Sequence, residues 1–156
     1  MDKKINKIIT KNIERRDFDK IDLSNQLDDL LNDLIKSDSI ILLTGFLVKS
    51  HLIGETDGPP GTLILANALK LLDKDVVIIT DKYSKNLLFE GKKCIKKDFE
   101  IEILEKSDED SQINYFLKKY NPDHIISIER PGKNINDNYY SMNKVNLTKY
   151  IPDTDI

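Results

Sequence analysis

Three short apolar runs constrain this chain more than any other feature. Ile40-Ile41-Leu42-Leu43, Val76-Val77-Ile78-Ile79 and Ile125-Ile126-Ser127-Ile128 are rich in β-branched side chains and do not alternate with charged residues. Runs of that kind are strands buried on both faces, as in a parallel sheet covered by helices. Between them the pattern changes to helical spacing. Leu63, Ile64, Leu65, Ala66, Ala68, Leu69, Leu71 and Leu72 predict a helix that is apolar nearly all round and therefore largely buried. Lys82 to Lys93 predicts a second helix, with Tyr83, Leu87 and Leu88 inward. Ile113, Phe116, Leu117 and Tyr120 mark one face of a third, opened by a capping-box pattern at Ser107-Asp108-Glu109-Asp110 and stopped by Asn121-Pro122. Phe99 to Leu104 does alternate, which predicts an edge strand with one wet face. Strands alternating with helices predict an α/β fold: a doubly wound, mostly parallel sheet with helices on both faces.

Two further helical patterns precede the first strand. Ile5, Ile8, Ile9 and Ile13 form one. Leu23, Leu27, Leu30, Leu31, Leu34 and Ile35 form the other, with Asp22 or Ser24 placed to cap it. The chain thus divides into an N-terminal helical segment, 1–37, and an α/β domain, 38–156. The first twenty residues are basic, but Asp2, Glu14, Asp17 and Asp19 favour a surface helix over a transit peptide. A net charge of −3 across 156 residues argues against nucleic acid as a partner, which requires a clustered basic surface. No run approaches the roughly 18 apolar residues of a membrane helix. The single Cys94 excludes an internal disulfide framework and a multi-Cys zinc site, and fits a reducing compartment, so a cytoplasmic location is expected.

Ligands of doubly wound sheets bind outside the carboxyl ends of the strands. Three unusual segments fall on that edge. The first is Gly45 to Thr62, a long loop dense in Gly and Pro that carries Glu55-Thr56-Asp57-Gly58-Pro59-Pro60-Gly61 and leads into a helix start suited to anions. The second is Asp81, directly after a strand, where it is either a helix cap or a catalytic carboxylate. The third is Glu129-Arg130-Pro131-Gly132, with Asn138-Tyr139-Tyr140 beyond it. Arg130 is placed to grip a carboxylate through its forked donors. The two tyrosines either pack the core or turn a hydroxyl toward the site. His51 lies in a polar loop, and His124 precedes a strand on the opposite edge. The Lys-Ser/Thr of a phosphate loop, the dinucleotide Gly pattern, a Gly-x-Ser-x-Gly nucleophile and metal-ligand His/Cys spacing are all missing from the sequence.

Together these blocks resemble the D-glutamate cyclase family. The resemblance rests on Gly45-Phe46, Glu55 to Gly61, Ile128 to Gly132 and Asn138-Tyr139-Tyr140-Ser141-Met142-Asn143, in that order and spacing, and covers Ile40 to the C-terminus. It implies a hydro-lyase that interconverts D-glutamate and 5-oxo-D-proline by loss or addition of water, without a cofactor or metal. It implies catalytic work for Glu55, Asp57, Asp81 and Glu129, as general base and acid. Substrate contacts are implied for Thr56, Gly58, Gly61, Thr62, Arg130, Asn138, Tyr139 and Tyr140. The α-carboxylate would be held by Arg130 with the backbone N–H groups of Gly58 and Gly61. Family members continue through further strands, so the chain is expected to be the first part of the domain. A homo-oligomer, or a separate chain completing the sheet, is the expected partner besides the small-molecule substrate.

Overall fold

The computed structural model describes Lys11 and residues 26–155, and the chain divides into two units, Met1–Ser37 and Asp38–Ile156. The Ile5 to Ile13 helical pattern and the Asp22 or Ser24 cap lie outside the described residues. In the first unit, helix α1 spans Gln26–Lys36, with Asp28 and Asp29 in its first turn and Lys36 in its last. Those charges oppose the partial charges of the helix ends. Ser37 closes it, its N–H and its hydroxyl both donating to the Asp33 carbonyl.

The second unit is built on the expected strands. β1 (Ser39–Thr44), β4 (Asp75–Thr80), β5 (Glu100–Ile103) and β6 (His124–Ile128) form one sheet in the order β5-β4-β1-β6, with every neighbouring pair parallel. A two-stranded antiparallel ribbon, β2 (Leu47–Val48) and β3 (Ile53–Gly54), stands apart from it. The connecting helices are α2 (Gly58–Leu71), α3 (Lys85–Lys92) and α4 (Glu109–Tyr120). Side chains alternate across the sheet. Ile41, Val77 and Ile79 therefore share one face, where they pack with Leu104 and with Phe116, Ile113 and Tyr120 of α4. Ile40, Leu42 and Ile78 point the other way and are fully buried; α2 packs against β1, β4 and β6, and against α3. Leu63 of α2 comes so close to Gly91 of α3 that a Cβ there would lie 2.4 Å from it.

The chain runs outward from β1 through β4 to β5, then returns to place β6 on the other side of β1. That reversal puts the topological switch point between the carboxyl ends of β1 and β6.

Four local expectations are corrected. α2 begins at Gly58, so Gly58-Pro59-Pro60-Gly61 is the first helical turn and not the end of a loop. Proline suits that turn because the first N–H groups of a helix have no partner within it. α2 is also less buried than its composition suggests: Ile64 is 66% exposed, and Leu71 and Leu72 are exposed at its end. β6 is an edge strand and not a doubly buried one, with Ile125 55% exposed. The capping box does not form, since Asp108 takes a left-handed conformation and its side chain makes no cap. Gln112 instead ties down the loop before the helix, its Nε2 donating to the Ser107 and Asp108 carbonyls and its Oε1 accepting from the Glu105 N–H.

Candidate active site

The site is assembled from the strand ends upward. Thr44 and Thr80 end the two central strands, each one residue beyond the last registered pair, Leu43 with Ile79. Both hydroxyls are buried and lie on the α2 face by alternation. Gly45 follows Thr44 with φ +133°, a conformation glycine tolerates and other residues resist. A Cβ on Gly45 would lie 3.1 Å from the Thr80 and Ser84 hydroxyls and 3.2 Å from Asp81 Oδ2. Glycine is needed here both for its backbone angle and for its small size.

Asp81 is 1% exposed and both oxygens of its carboxylate are paired. Oδ1 accepts from the Tyr83 and Ser84 N–H groups, and Oδ2 accepts from Arg130 Nη1 at 2.6 Å. Arg130 also donates to the Gly45 carbonyl at 3.3 Å and the Pro152 carbonyl at 3.0 Å. Its side chain is 2% exposed. The guanidinium ties the ends of β1, β4 and β6 to the final segment of the chain. The Nη1 donor expected to grip a substrate carboxylate is thus spent on Asp81 in this arrangement.

The remaining carboxylates gather above this clasp. Glu55 is half-buried, held by its own N–H donating to the Phe46 carbonyl at 2.7 Å, while Gly54 N–H donates to the Tyr83 carbonyl at 3.0 Å. Asp57 is the N-cap of α2 and accepts from the Gly58 N–H. Glu129 follows β6 with φ +47°, and its Cβ would lie 2.7 Å from a Cβ on Gly58. That close approach is why position 58 has no side chain. Burial and then the negative charges of Asp57 and Glu129 raise the pKa of Glu55. A carboxyl held toward its neutral form beside two other carboxylates is suited to general acid–base work.

The helix start does not form the expected N–H cradle. Pro59 and Pro60 have no N–H, and the Gly58 N–H is turned to Asp57. Gly61 is open to solvent, with space for a side chain. Thr62 is buried, its hydroxyl donating to the Gly58 carbonyl one turn back, as helical threonines do. Thr56 lies with Pro59 and Pro60 at an apolar groove of about 400 Å³ between α2 and α3. Tyr139 is in a core cluster with Leu47, Leu147 and Ile151, and its hydroxyl donates to Asp153 at 2.7 Å. Burial, then that carboxylate, raises its pKa. Tyr140 is exposed, and the Asn138 amide donates to the Asn136 carbonyl. The structure therefore brings Glu55, Asp57 and Glu129 together and pairs Asp81 with Arg130, while Asn138, Tyr139 and Tyr140 brace the segment beyond β6.

Sequence reasoning missed Thr44, Thr80 and Ser84. Their signal is a hydroxyl residue at the end of each central apolar run, in Thr44-Gly45 and Thr80-Asp81. Among the described residues no group of three or more His, Cys, Asp or Glu side chains is arranged to hold a metal ion. No described helix is long and apolar enough to cross a membrane. A groove of about 530 Å³, lined by Ile41, Leu43, Phe116, Leu117 and Ile125 among others, lies on the α4 face, and Glu55, Asp57 and Glu129 do not line it.

Comparison with known proteins points the same way. A family profile described as D-glutamate cyclase-like, C-terminal, matches residues 5–156, and so takes in most of the N-terminal segment as well as the α/β unit. The mitochondrial D-glutamate cyclase of Homo sapiens is 30% identical over 134 residues. That alignment covers 75% of this chain and 21% of the human protein, so the chain corresponds to about a fifth of that relative's length.

Proposed function

The chain belongs to the D-glutamate cyclase-like family, and on that premise we propose that it takes part in the interconversion of D-glutamate and 5-oxo-D-proline plus water, as a carbon–oxygen lyase. The observation that carries this reading is the meeting of Glu55, Asp57 and Glu129 at the switch point, with the Glu55 pKa raised. The substrate's ammonium is drawn to these carboxylates. Asp57 or Glu129 takes a proton from it, and the freed amine attacks the γ-carboxyl carbon. The nitrogen gives up a second proton to these carboxylates as the ring closes. Glu55, held toward its protonated form, gives its proton to the departing oxygen, which takes its other proton from the same pair, so that the C–O bond breaks and water leaves. In the reverse direction Glu55 activates that water. Arg130 keeps the strand ends in register and Asp81 holds Arg130, so Asp81 acts on the reaction by positioning.

Two further elements belong to the proposal. The exposed, free Cys94 is consistent with a reducing compartment such as the cytoplasm. The open β6 edge, with Ile125 exposed, supports a second copy or a separate chain completing the sheet.

The test is chromatographic. The protein is incubated with D-glutamate and, separately, with 5-oxo-D-proline, and each reaction is followed for the other compound. Interconversion that is lost in Glu55→Gln supports the reading. Binding of D-glutamate without conversion would instead leave a small-anion binding module.

A further inference from the structure

The floor of the site holds buried polar atoms that lack hydrogen-bond partners. Among the described residues, five buried side-chain atoms have no hydrogen-bond partner: Thr154 Oγ1 in the final segment, and Thr44 Oγ1, Thr80 Oγ1, Ser84 Oγ and Arg130 Nε, which belong to the ends of β1, β4 and β6 or the turn into α3. Buried polar atoms are nearly always paired, so several unpaired ones in one place point to a ligand. Ser84 sharpens the point. It is the N-cap of α3, where a serine hydroxyl ordinarily accepts from the helix's first N–H groups, yet it makes no such bond. Its hydroxyl lies instead between Gly45 and Gly54, 3.1 Å and 2.3 Å from where their Cβ atoms would be. Thr44 Oγ1 lies 3.0 Å from the corresponding position on Gly58, the residue against which Glu129 packs. The hydroxyl layer thus begins directly beneath the carboxylate cluster.

The chemistry of the missing partner follows from the count of roles. Arg130 Nε can only donate, and the three hydroxyls are free to donate. Asp81, the carboxylate at this level, already accepts from Tyr83 N–H, Ser84 N–H and Arg130 Nη1. Arg130 Nε needs an acceptor, and an acceptor-only group such as a carboxylate can take a hydrogen bond from all four.

We propose that Thr44, Thr80, Ser84 and the Nε of Arg130 form a subsite for one carboxylate of an amino dicarboxylate substrate, beneath the Glu55, Asp57 and Glu129 cluster that takes its ammonium. The role of the three carboxylates rests on the function proposed above; the subsite stands on the four unpaired donors. The β2–β3 ribbon covers it, and access requires the ribbon to lift from Ser84, with the Gly54–Tyr83 hydrogen bond the contact that gives way. These are binding residues and no bond is made or broken at them.

Thermal-shift titration of the wild type, Thr80→Val and Ser84→Ala tests it, with two probes: D-glutamate, and glutarate, which has both carboxylates and no amine. Removing an unpaired buried hydroxyl stabilises a ligand-free protein, so both variants should melt above the wild type without ligand. Each should weaken both probes on the order of tenfold, the loss of one hydrogen bond to a charged group. Binding by the wild type that is unchanged in both variants overturns the subsite and leaves the D-glutamate reading standing. Glutarate binding weakened by the variants, with no conversion of D-glutamate by the wild type, upholds the subsite and defeats the reaction. Absence of a shift with either probe in the wild type overturns the subsite, as do variants that melt below the wild type in the absence of ligand.

Discussion

The two ends of the sheet are built to opposite standards. At the amino ends of the strands the polar groups are paired. Asp123 Oδ2 accepts from the Asp38 and Ser39 N–H groups, the Asp123 N–H donates back to the Ser39 carbonyl, and the Ser39 hydroxyl donates to the Tyr120 carbonyl. Those two backbone donors lower the Asp123 pKa. Nearby, Lys119 donates to Glu100 and Glu102, and Tyr120 donates to the same two carboxylates. At the carboxyl ends the hydroxyls of Thr44, Thr80 and Ser84 lack partners, Glu129 has a positive φ, and the charges of Asp57 and Glu129 bear on Glu55. One sheet with one kind of core carries both ends, so the difference is not a matter of general packing quality. Polar pairing is incomplete where the carboxylates come near one another.

The comparison can be broken most forcefully at the Asp81–Arg130 pair. Arg130→Ala leaves Asp81 buried without its cation and should cost about 3–5 kcal/mol, read from urea unfolding. A loss well under that would mean that the clasp does not hold the strand ends together. Gly58→Ala comes next. Its Cβ would meet Glu129 Cβ at 2.7 Å and Thr44 Oγ1 at 3.0 Å, and the overpacking should cost about 1–3 kcal/mol. Gly61→Ala, in open space on the same turn, serves as the neutral control.

Smaller effects sharpen the contrast. Tyr120→Phe removes one hydroxyl from the well-paired end and should destabilise by about 0.5–1.5 kcal/mol, opposite in sign to Thr80→Val at the other end. Glu55→Gln should do least to stability, under about 1 kcal/mol, but with a diagnostic pH dependence. The folded-state pKa of Glu55 is raised, so its favourable contribution is complete below its unfolded value, about 4.3, and is lost as the pH rises through the folded value. The variant should therefore be the more stable protein at pH 7, with the advantage disappearing toward pH 4. An advantage that persists at pH 4 would show that the carboxylates do not crowd Glu55.

Much of the fold was legible because it rests on local pattern. β1, β4 and β6 lie where the β-branched runs predict them, β5 is the expected edge strand, and α4 ends at Tyr120 before Asn121-Pro122. The errors have a common cause. The Ile125 to Ile128 run is as apolar as a central strand, but periodicity reports side-chain type and not whether a neighbour covers it. Gly58-Pro59-Pro60-Gly61 reads equally as a rigid loop or a first helical turn, because the proline φ angle suits both. The nearness of Glu55, Asp57 and Glu129 was legible, since strand-end logic puts their loops on one edge of the sheet. The partner of Arg130 was not, because Asp81 lies 49 positions away and an arginine fork fits a protein carboxylate as well as a substrate's.

By itself the sequence determined the alternation of strands and helices, the parallel sheet and the edge on which polar loops gather. Those follow from side-chain shape, hydrophobic spacing and chain direction, which are local properties. Only the tertiary structure decided that β6 is an edge strand, that Arg130 is spent on Asp81, and that Thr44, Thr80 and Ser84 are left as unpaired donors. Each depends on which distant group arrives to cover or pair a given atom, and spacing along the chain does not encode that.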